Sequence, residues 1–208
     1  MQACILNSKF SIQNSQFSIR MKLSWRPGTM IYPLPAVLAT CGATPEEWNM
    51  ITVAWVGTIC SDPAMCYISV RPERHSHALL MKNMEFTLNL TTADMARATD
   101  WAGVRSGRDF DKWKETGLHP IAGEKVKCPT IEESPLSIEC RVKSVTHLGS
   151  HDMFIADVLN VRADSRYINE ATGKLELEKA GMLVYSHGQY FALGDLLGHF
   201  GFSVRKRP

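Results

Sequence analysis

The sequence predicts a mainly β protein, a β-barrel with a few short helical insertions. Many short runs of apolar and β-branched residues are separated by Gly, Pro, Asn and Asp, which are typical of turns. Only two or three segments have the composition of a helix. The last regular segment, residues 183–193, has the pattern of a β-hairpin that turns at His187-Gly188. Many short strands combined with few helices favour a barrel.

The strands and helices follow one another along the chain with clear separations. Strands are predicted at residues 36–41, 51–56, 65–70, 85–90, 138–145 and 153–161. Helices are predicted at residues 76–84, 92–102 and 109–116, the last with Gly117 as its stop. Residues 57–63 are predicted to form an exposed loop. Residues 138–145 alternate in polarity as a half-buried strand does, whereas the apolar run at 153–161 predicts burial on both faces.

Composition places the chain among ordinary globular proteins. It has 208 residues, 45% of them hydrophobic and 21% charged, so one domain with a sizeable core is expected. A formal net charge of +2 gives no reason to expect a nucleic-acid partner. No apolar run approaches the ~18–20 residues of a membrane span, and no secretory signal is recognised. These features predict neither a membrane nor a nucleic-acid function.

The six cysteines show no metal-binding or disulfide spacing. None belongs to a CxxC pair or to a zinc-type Cys/His pattern, so no metal site is predicted. Several lie in apolar strand-like runs, where a free thiol behaves as a small hydrophobe. We interpret them as reduced thiols and expect a cytoplasmic protein.

The first twenty residues differ from the rest of the chain. Residues 7–13 are nearly repeated as residues 14–20, a tandem duplication of seven residues. Met21 is a plausible initiator. We therefore predict that residues 1–20 are an N-terminal extension with no part in the fold and that residues 21–208 form a single domain.

Residues 51–80 combine two strands with a cationic helix start. Arg71, Arg74, His75 and Ser76 precede or open the helix, where unpaired backbone N–H groups and the helix dipole favour an anion. Two guanidinium groups add charge-assisted donors that suit a phosphate. A hairpin followed by a serine-capped helix with solvated arginines is the alternative explanation.

Residues 49–65, N-x-x-T-x-A-W-x-G-T-x-C-S-x-P-x-M, followed by I-S-V-R-P-E-R-H-S, also form a recognisable motif. Together they resemble the flavin reductase-like family of FMN-binding split β-barrels, in particular its flavoredoxin-like branch. The resemblance continues through residues 85–90, 106–109, 149–152 and 194–204, and it covers roughly residues 30–206. It implies a split barrel that binds FMN, with FAD as a possible alternative, and that pairs as a homodimer.

The resemblance assigns roles to individual residues. The flavin phosphate is assigned to Arg71, Arg74, His75 and Ser76. The isoalloxazine ring is assigned to the first strand and its loop, through Thr52, Ala54, Trp55, Gly57 and Thr58. Asn89 is expected to reach the ribityl chain or the ring, and Ser69 is a further candidate. Lys112 belongs to a segment, residues 106–112, whose charges are expected either to approach a flavin from a second subunit or to form a capped surface helix.

The segment Gly149-Ser-His-Asp152 occupies the position where related reductases carry Gly-Asp-His. His151 is therefore the candidate catalytic residue, expected to position the nicotinamide of NAD(P)H, although Ser150 departs from the family pattern. An ordinary turn histidine is the alternative. Three functions stay open: an NAD(P)H-dependent flavin reductase, a flavoredoxin-like electron carrier reduced by another protein, and a split barrel kept as an interaction module.

Overall fold

The computed structural model describes residues 21–204. The chain divides into an N-terminal unit, residues 1–30, and a main unit, residues 31–208. Within the first unit, the described residues 21–30 contain no helix or strand. The prediction that residues 1–20 form an extension lies outside the described residues.

The main unit is built from short strands with helices inserted between them, as the mainly β prediction requires. Its strands are β1 Leu34–Pro35, β2 Val37–Cys41, β3 Asn49–Val53, β4 Val56–Ser61, β5 Ala64–Val70, β6 Glu85–Leu90, β7 Pro120–Ile121, β8 Thr130–Ile131, β9 Leu136–His147, β10 Asp152–Ala163, β11 Leu183–Ser186 and β12 Gln189–Ala192. Its α-helices are α1 His75–Asn83, α2 Ala96–Val104 and α3 Lys112–Thr116. Short 3₁₀ segments occur at Ala93–Met95, Ser165–Tyr167, Leu177–Ala180 and Phe202–Val204. None of the helices in residues 21–204 is both long and apolar enough to cross a lipid bilayer.

A seven-stranded antiparallel sheet with the order β3-β2-β6-β9-β10-β5-β4 forms the barrel. Its central strands and both of its edges contribute side chains to one buried cluster, which includes Val53, Val56, Ile68, Phe86 and Phe154. Removing these apolar surfaces from water is what favours the curling of the sheet around them. Strands β1, β11 and β12 form a separate three-stranded sheet, and β7 pairs with β8.

A second, smaller core holds the inserted helices against the barrel. Leu38 of β2 and Met50 of β3 pack there with Met95 and Ala102 from the helical segment. Trp113 of α3 packs against the same cluster. The helices α2 and α3 are thereby fixed beside β3, close to the first turn of α1.

The predicted strand at 51–56 and the loop at 57–63 are wrong in detail. The structure ends β3 at Val53, begins β4 at Val56, and leaves only Asp62-Pro63 as the hairpin turn to β5. Strands β3 and β4 lie at opposite edges of the sheet, so the chain crosses between them at Ala54 and Trp55. The apolar run is continuous because Val53 and Val56 enter the same core from either side of this bend.

The predicted burial of residues 153–161 on both faces is also wrong. Burial alternates along β10: Phe154 and Ala156 are buried, while Leu159 and Val161 are exposed. The strand is long enough to extend beyond the part of the barrel that covers it.

The predicted ends of the helices also need adjustment. Helix α3 begins at Lys112 because Asp111 accepts hydrogen bonds from two backbone amides as its N-cap. Two predictions are confirmed: Gly117 ends α3 in the left-handed conformation, with φ 69°, and the last hairpin turns at His187-Gly188.

Candidate functional site

A cavity of about 240 Å³ lies between the start of α1 and the segment that follows α2. Three arginines and one lysine line it, namely Arg74, Arg105, Arg108 and Lys112. Among residues 21–204, none of these four side chains has a carboxylate oxygen within 4 Å. Glu73 and Asp109 also line the cavity but pair with none of these four cations, so the concentrated positive charge favours an anion. We call this space the anion cavity.

Lys112 is the most unusual of these cations, because it is only 4% exposed. Its Nζ donates hydrogen bonds to the backbone carbonyls of Met50, at 2.9 Å, and Ala102, at 2.6 Å. Its pKa is lowered to about 8, mainly by burial and with a contribution from the nearby Arg74. A buried ammonium group held only by neutral carbonyls is stabilised when an anion approaches it.

Ser76 lies in the first turn of α1 and is buried. The expectation that it caps the helix is wrong, since the N-cap position is Arg74 and no side chain caps this end. The Ser76 hydroxyl instead accepts a hydrogen bond of 2.8 Å from the Asn49 side-chain amide. The hydroxyl also bonds to the buried Cys41 thiol, whose pKa burial raises to about 12.

The segment Ser106-Gly107-Arg108-Asp109 forms the wall opposite α1. A Cβ on Gly107 would lie 2.1 Å from Asn49 Oδ1 and 3.2 Å from His75 Cδ2, so only glycine permits this close approach. For the charges of this segment, the approach to a flavin from a second subunit stays a prediction, as does the alternative of a capped surface helix. These charges line the same cavity as Arg74 and Lys112 of their own chain.

His75 completes the cationic lining at the helix start. Desolvation lowers the pKa of its imidazole, and the nearby Arg108 and Lys112 lower it further. His75 is therefore neutral at physiological pH and can donate one hydrogen bond without adding charge.

The bend between β3 and β4 forms a second group of predicted residues. Trp55 lies there with its ring edge-to-face against His151, with centroids 4.5 Å apart. Its carbonyl accepts a 2.9 Å hydrogen bond from the backbone amide of Ser69, which ties the bend to β5. Desolvation lowers the pKa of His151, with a further contribution from Arg71. The bend, the His151 loop and the end of β5 thus meet at one place.

The other predicted ring-contact residues flank this bend. Ala54 is half-buried beside Trp55, and Thr58 is exposed on β4. A Cβ on Gly57 would lie 3.0 Å from the Tyr67 ring, so the backbone passes directly over that ring. Thr52 connects the two groups, because its hydroxyl donates to the Thr99 carbonyl of α2 and its side chain lies against Gly103 of the anion cavity.

Asn89 is not brought to either group, which corrects its expected contact with the ribityl chain. It is fully buried, and its Nδ2 donates to the Leu38 carbonyl at 3.0 Å. Its Oδ1 accepts from the Ile131 amide at 2.9 Å and from the Ser137 hydroxyl at 2.7 Å. With both ends of its amide already bonded inside the protein, Asn89 has a structural role.

Arg71 lies outside the lining of the anion cavity, in contrast to Arg74. It is exposed and forms a 3.4 Å ion pair with Glu73. Its position near His151 associates it with the bend and not with the anion cavity.

Sequence reasoning missed Arg105, which directly precedes the motif at residues 106–109 but lies outside it, and the packing role of Asn49. It also missed an aspartate held between two histidines. Asp152, at the start of β10, contacts His77 Nε2 of α1 and His147 Nδ1 of β9, each at 2.7 Å. The hydrogen bond with His147, followed by that with His77, lowers the pKa of Asp152, and the two contacts connect the His151 loop to α1. Within residues 21–204, no group of three or more His, Cys, Asp or Glu side chains is placed to hold a metal ion.

A curled antiparallel sheet with helices inserted beside one edge strand, as seen here, is the architecture of the flavin reductase-like split barrels. Residues 29–194 match the family described as the flavin reductase like domain, and the chain belongs to that family. The resemblance found in the sequence is thereby confirmed.

Three known proteins illustrate the similarity. The structure is similar to that of flavoredoxin of Desulfovibrio vulgaris (Miyazaki F), with a TM-score of 0.79, 27% identity, and coverage of 89% of this chain and 100% of flavoredoxin. The sequence is 32% identical over 130 residues to an uncharacterised protein of Pyrococcus abyssi, spanning 62% of this chain and 74% of that protein. It is also 25% identical over 112 residues to the reductase component of a 4-nitrophenol 4-monooxygenase/4-nitrocatechol 2-monooxygenase of Rhodococcus opacus, spanning 54% of this chain and 57% of that protein.

Proposed function

We propose that this chain is a flavin-binding oxidoreductase of the NAD(P)H:flavin reductase type, which passes electrons through FMN to a downstream acceptor. The anion cavity is the observation that carries the proposal. In the part of the chain that the structure describes, its four cationic side chains have no carboxylate partner, and FMN ends in a phosphate monoester with a charge of about −1.5 to −2 at neutral pH.

The donors of the cavity fit a phosphate in chemistry as well as in charge. Arg74 and Arg108 supply planar guanidinium groups, and Lys112 supplies a buried ammonium group. A volume of about 240 Å³ suits a phosphate and the adjoining part of a ribityl chain, and is too small for a complete flavin.

The flat part of the flavin is then assigned to the bend at Ala54 and Trp55. Small residues on either side let the ring approach the backbone closely, and Trp55 offers an aromatic surface that is 38% exposed. A bound flavin supplies the redox chemistry, while the protein supplies placement and electrostatics. Thr52, which contacts both the bend and the wall of the anion cavity, supports a ligand that extends between them.

The use of NAD(P)H depends on His151. The ring of His151 lies against Trp55, so it is placed to position a nicotinamide over a flavin at the bend. Asp152 cannot take the place of the missing family aspartate, because both of its carboxylate oxygens already contact histidines. Direct reduction by NAD(P)H is favoured by the similarity to the monooxygenase reductase component.

A flavoredoxin-like electron carrier is the alternative, and the similarity to flavoredoxin supports it. Such a protein needs the same phosphate and ring contacts but receives electrons from another protein. The interaction with NAD(P)H therefore separates the two functions, and flavin binding alone does not.

The deciding experiment is an absorption spectrum of the purified protein with FMN, followed by anaerobic addition of NADH or NADPH. Rapid loss of the flavin absorbance, slowed in His151→Ala, supports the reductase. A flavin that binds but stays oxidised over minutes supports the carrier. A protein that remains colourless after FMN addition contradicts both and supports an interaction module.

We also propose that the chain acts as a cytoplasmic homodimer. Apolar side chains of its C-terminal arm are exposed, with Leu197 at 91% and Phe200 fully exposed, and a second copy would cover such a surface. The five cysteines in residues 21–204 are free thiols, as a reducing compartment maintains. Light scattering after size-exclusion chromatography tests the dimer, and a monomer at micromolar concentration contradicts it.

A further inference from the structure

The loop that carries His151 makes few contacts of its own. It joins β9 to β10 through residues 148–151, and the Leu148 amide donates a 2.9 Å hydrogen bond to the His151 carbonyl. The Leu148 side chain is 56% exposed, and a Cβ on Gly149 would meet no other atom of the described residues within 4 Å. A loop with so little packing opens easily unless something else holds it. The edge-to-face contact of His151 with Trp55 therefore depends on what fixes the ends of the loop.

Asp152 closes this loop at its base. It is the first residue of β10 and lies directly opposite His147, the last residue of β9, in the strand pairing. One carboxylate oxygen contacts His147 Nδ1 at 2.7 Å, and the other contacts His77 Nε2 of α1 at 2.7 Å. Asp152 is only 5% exposed, so water does not readily replace these contacts. Its carboxylate therefore joins three elements, β9, β10 and α1.

His77 gives this junction a fixed support. Its side chain is 13% exposed and packs edge-to-face on the fully buried Phe154, with ring centroids 5.5 Å apart. Its backbone belongs to the first turn of α1, where its amide donates to the Arg74 carbonyl at 2.9 Å. Arg74 and Ser76, which precede it in the chain, both line the anion cavity. The His151 loop is thus tied to the same helix start that lines the anion cavity.

We propose that Asp152 is a positioning residue for the proposed reaction, because it holds the loop so that His151 stays against Trp55. This inference rests on the proposed function, in which His151 places the nicotinamide of NAD(P)H. Asp152 acts through the imidazole, which it keeps half-buried beside the bend. A displacement of about 1 Å at a reacting centre can cost a factor of about 100 in rate, so the loss of such a support is measurable.

Anaerobic reduction of the FMN-loaded protein by NADH or NADPH, followed by stopped-flow absorbance, tests the inference. Asp152→Ala is expected to lower the second-order rate constant roughly 10- to 100-fold. The Kd of FMN should not change, because Asp152 lies outside the lining of the anion cavity. In a His151→Ala background, Asp152→Ala is expected to cause no further loss, since it acts only through that imidazole. Asp164→Ala, which removes a hydrogen-bonded carboxylate just beyond the other end of β10, is the matched control and should leave the rate unchanged.

The pKa of the His151 imidazole gives a second measurement that needs neither flavin nor NAD(P)H. In the wild type this pKa lies below its usual value, mainly because the ring is desolvated and with a contribution from Arg71, which Glu73 opposes. Removing the negative charge of Asp152 would by itself lower the pKa further. Release of the ring into water would instead raise it toward about 6.5, so a rise in Asp152→Ala reports displacement of the loop. Titration by NMR, with the signal assigned from His151→Ala, measures the change.

His147→Ala covers the case in which Asp152→Ala does not fold. The His147 side chain is 75% exposed and its removal breaks only one of the two contacts, so the same changes are expected at smaller size. A normal reduction rate and an unchanged His151 pKa in folded Asp152→Ala, or in His147→Ala where that variant alone folds, overturn the inference. Losses that multiply in the double variant also overturn it. If NAD(P)H does not reduce the wild-type flavin, the proposed reductase falls, and the titration alone then decides whether Asp152 holds the loop.

Discussion

Two buried polar side chains, Asn89 and Lys112, illustrate two uses of a buried polar group. Asn89 is fully buried, and both ends of its amide are bonded to the protein. Lys112 is nearly as buried, yet its charge meets only two backbone carbonyls. The first arrangement is complete without a ligand. The second leaves a positive charge uncompensated beside a cavity.

The difference shows that burial alone does not distinguish a structural residue from a binding residue. A buried amide with all its partners strengthens the core, because each of its groups would be costly to leave unpaired. A buried cation without a counter-ion reduces stability unless something else compensates it. This contrast predicts that a substitution at Asn89 mainly lowers stability, whereas a substitution at Lys112 mainly weakens binding.

The largest effect is expected for Asn89→Ala. It leaves the Leu38 carbonyl, the Ile131 amide and the Ser137 hydroxyl without their partner and should lower the free energy of unfolding by about 3 kcal/mol. Urea unfolding followed by circular dichroism measures the change. Asn160→Ala, with a single weak contact to Glu124, is the control and should cost less than about 0.5 kcal/mol. A loss below about 1 kcal/mol for Asn89→Ala would contradict the structural role.

Lys112→Met is expected to act mainly on binding. Losing one charge-assisted donor should raise the Kd of FMN roughly 10- to 100-fold and leave riboflavin, which lacks the phosphate, unaffected. The stability of the flavin-free protein should change less than in Asn89→Ala, because the buried charge is removed together with its hydrogen bonds. Lys114→Met, an exposed position on the same helix, is the control. Equal weakening of FMN and riboflavin would show that Lys112 does not contact the phosphate.

A change of pH is expected to alter FMN affinity through the same Lys112 charge, but by less than the substitution does. The pKa of Lys112 is about 8 in the folded chain, so its charge is lost as pH rises through 8, while the FMN phosphate stays doubly ionised above pH 7. FMN affinity should therefore fall between pH 7 and pH 9.5, by less than in Lys112→Met. Stability without flavin should rise between pH 8 and 10.5, because the unfolded lysine binds its proton more tightly there.

Titrations at several pH values measure both trends of this pH prediction. The part of the change in FMN affinity with pH that comes from Lys112 should be absent in Lys112→Met. An identical slope in that variant would assign the pH dependence to another group.

The smallest effect is expected at the bend. Trp55→Ala removes an aromatic surface and its contact with His151, a pair worth about 0.5–1.5 kcal/mol. It should weaken FMN and riboflavin equally, by roughly 2- to 12-fold, since the phosphate is not involved. A double-mutant cycle with His151→Ala measures the pair directly. Selective weakening of FMN would place the ring of the flavin elsewhere.

Much of this arrangement was predictable from local patterns. The helix start at Arg74 and Ser76, the end of α3 at Gly117 and the final hairpin follow from short-range chemistry that is visible in the sequence. The place of Lys112 in the anion cavity was not predictable from local patterns. Its separation from Arg74 along the chain does not indicate on which side of α2 it lies. Arg105 lies one residue before the motif at residues 106–109, and the motif itself does not include it.

The sequence by itself determined the mainly β class, the family and the cationic helix start, because composition, periodicity and motif order act over a few residues at a time. Only the tertiary structure decided that one apolar run becomes two strands at opposite sheet edges, since the core receives Val53 and Val56 from both sides of a bend. It also decided that Asn89 is structural while Lys112 faces a cavity. Whether a buried polar group has its partners depends on residues distant in sequence, and only folding brings those together.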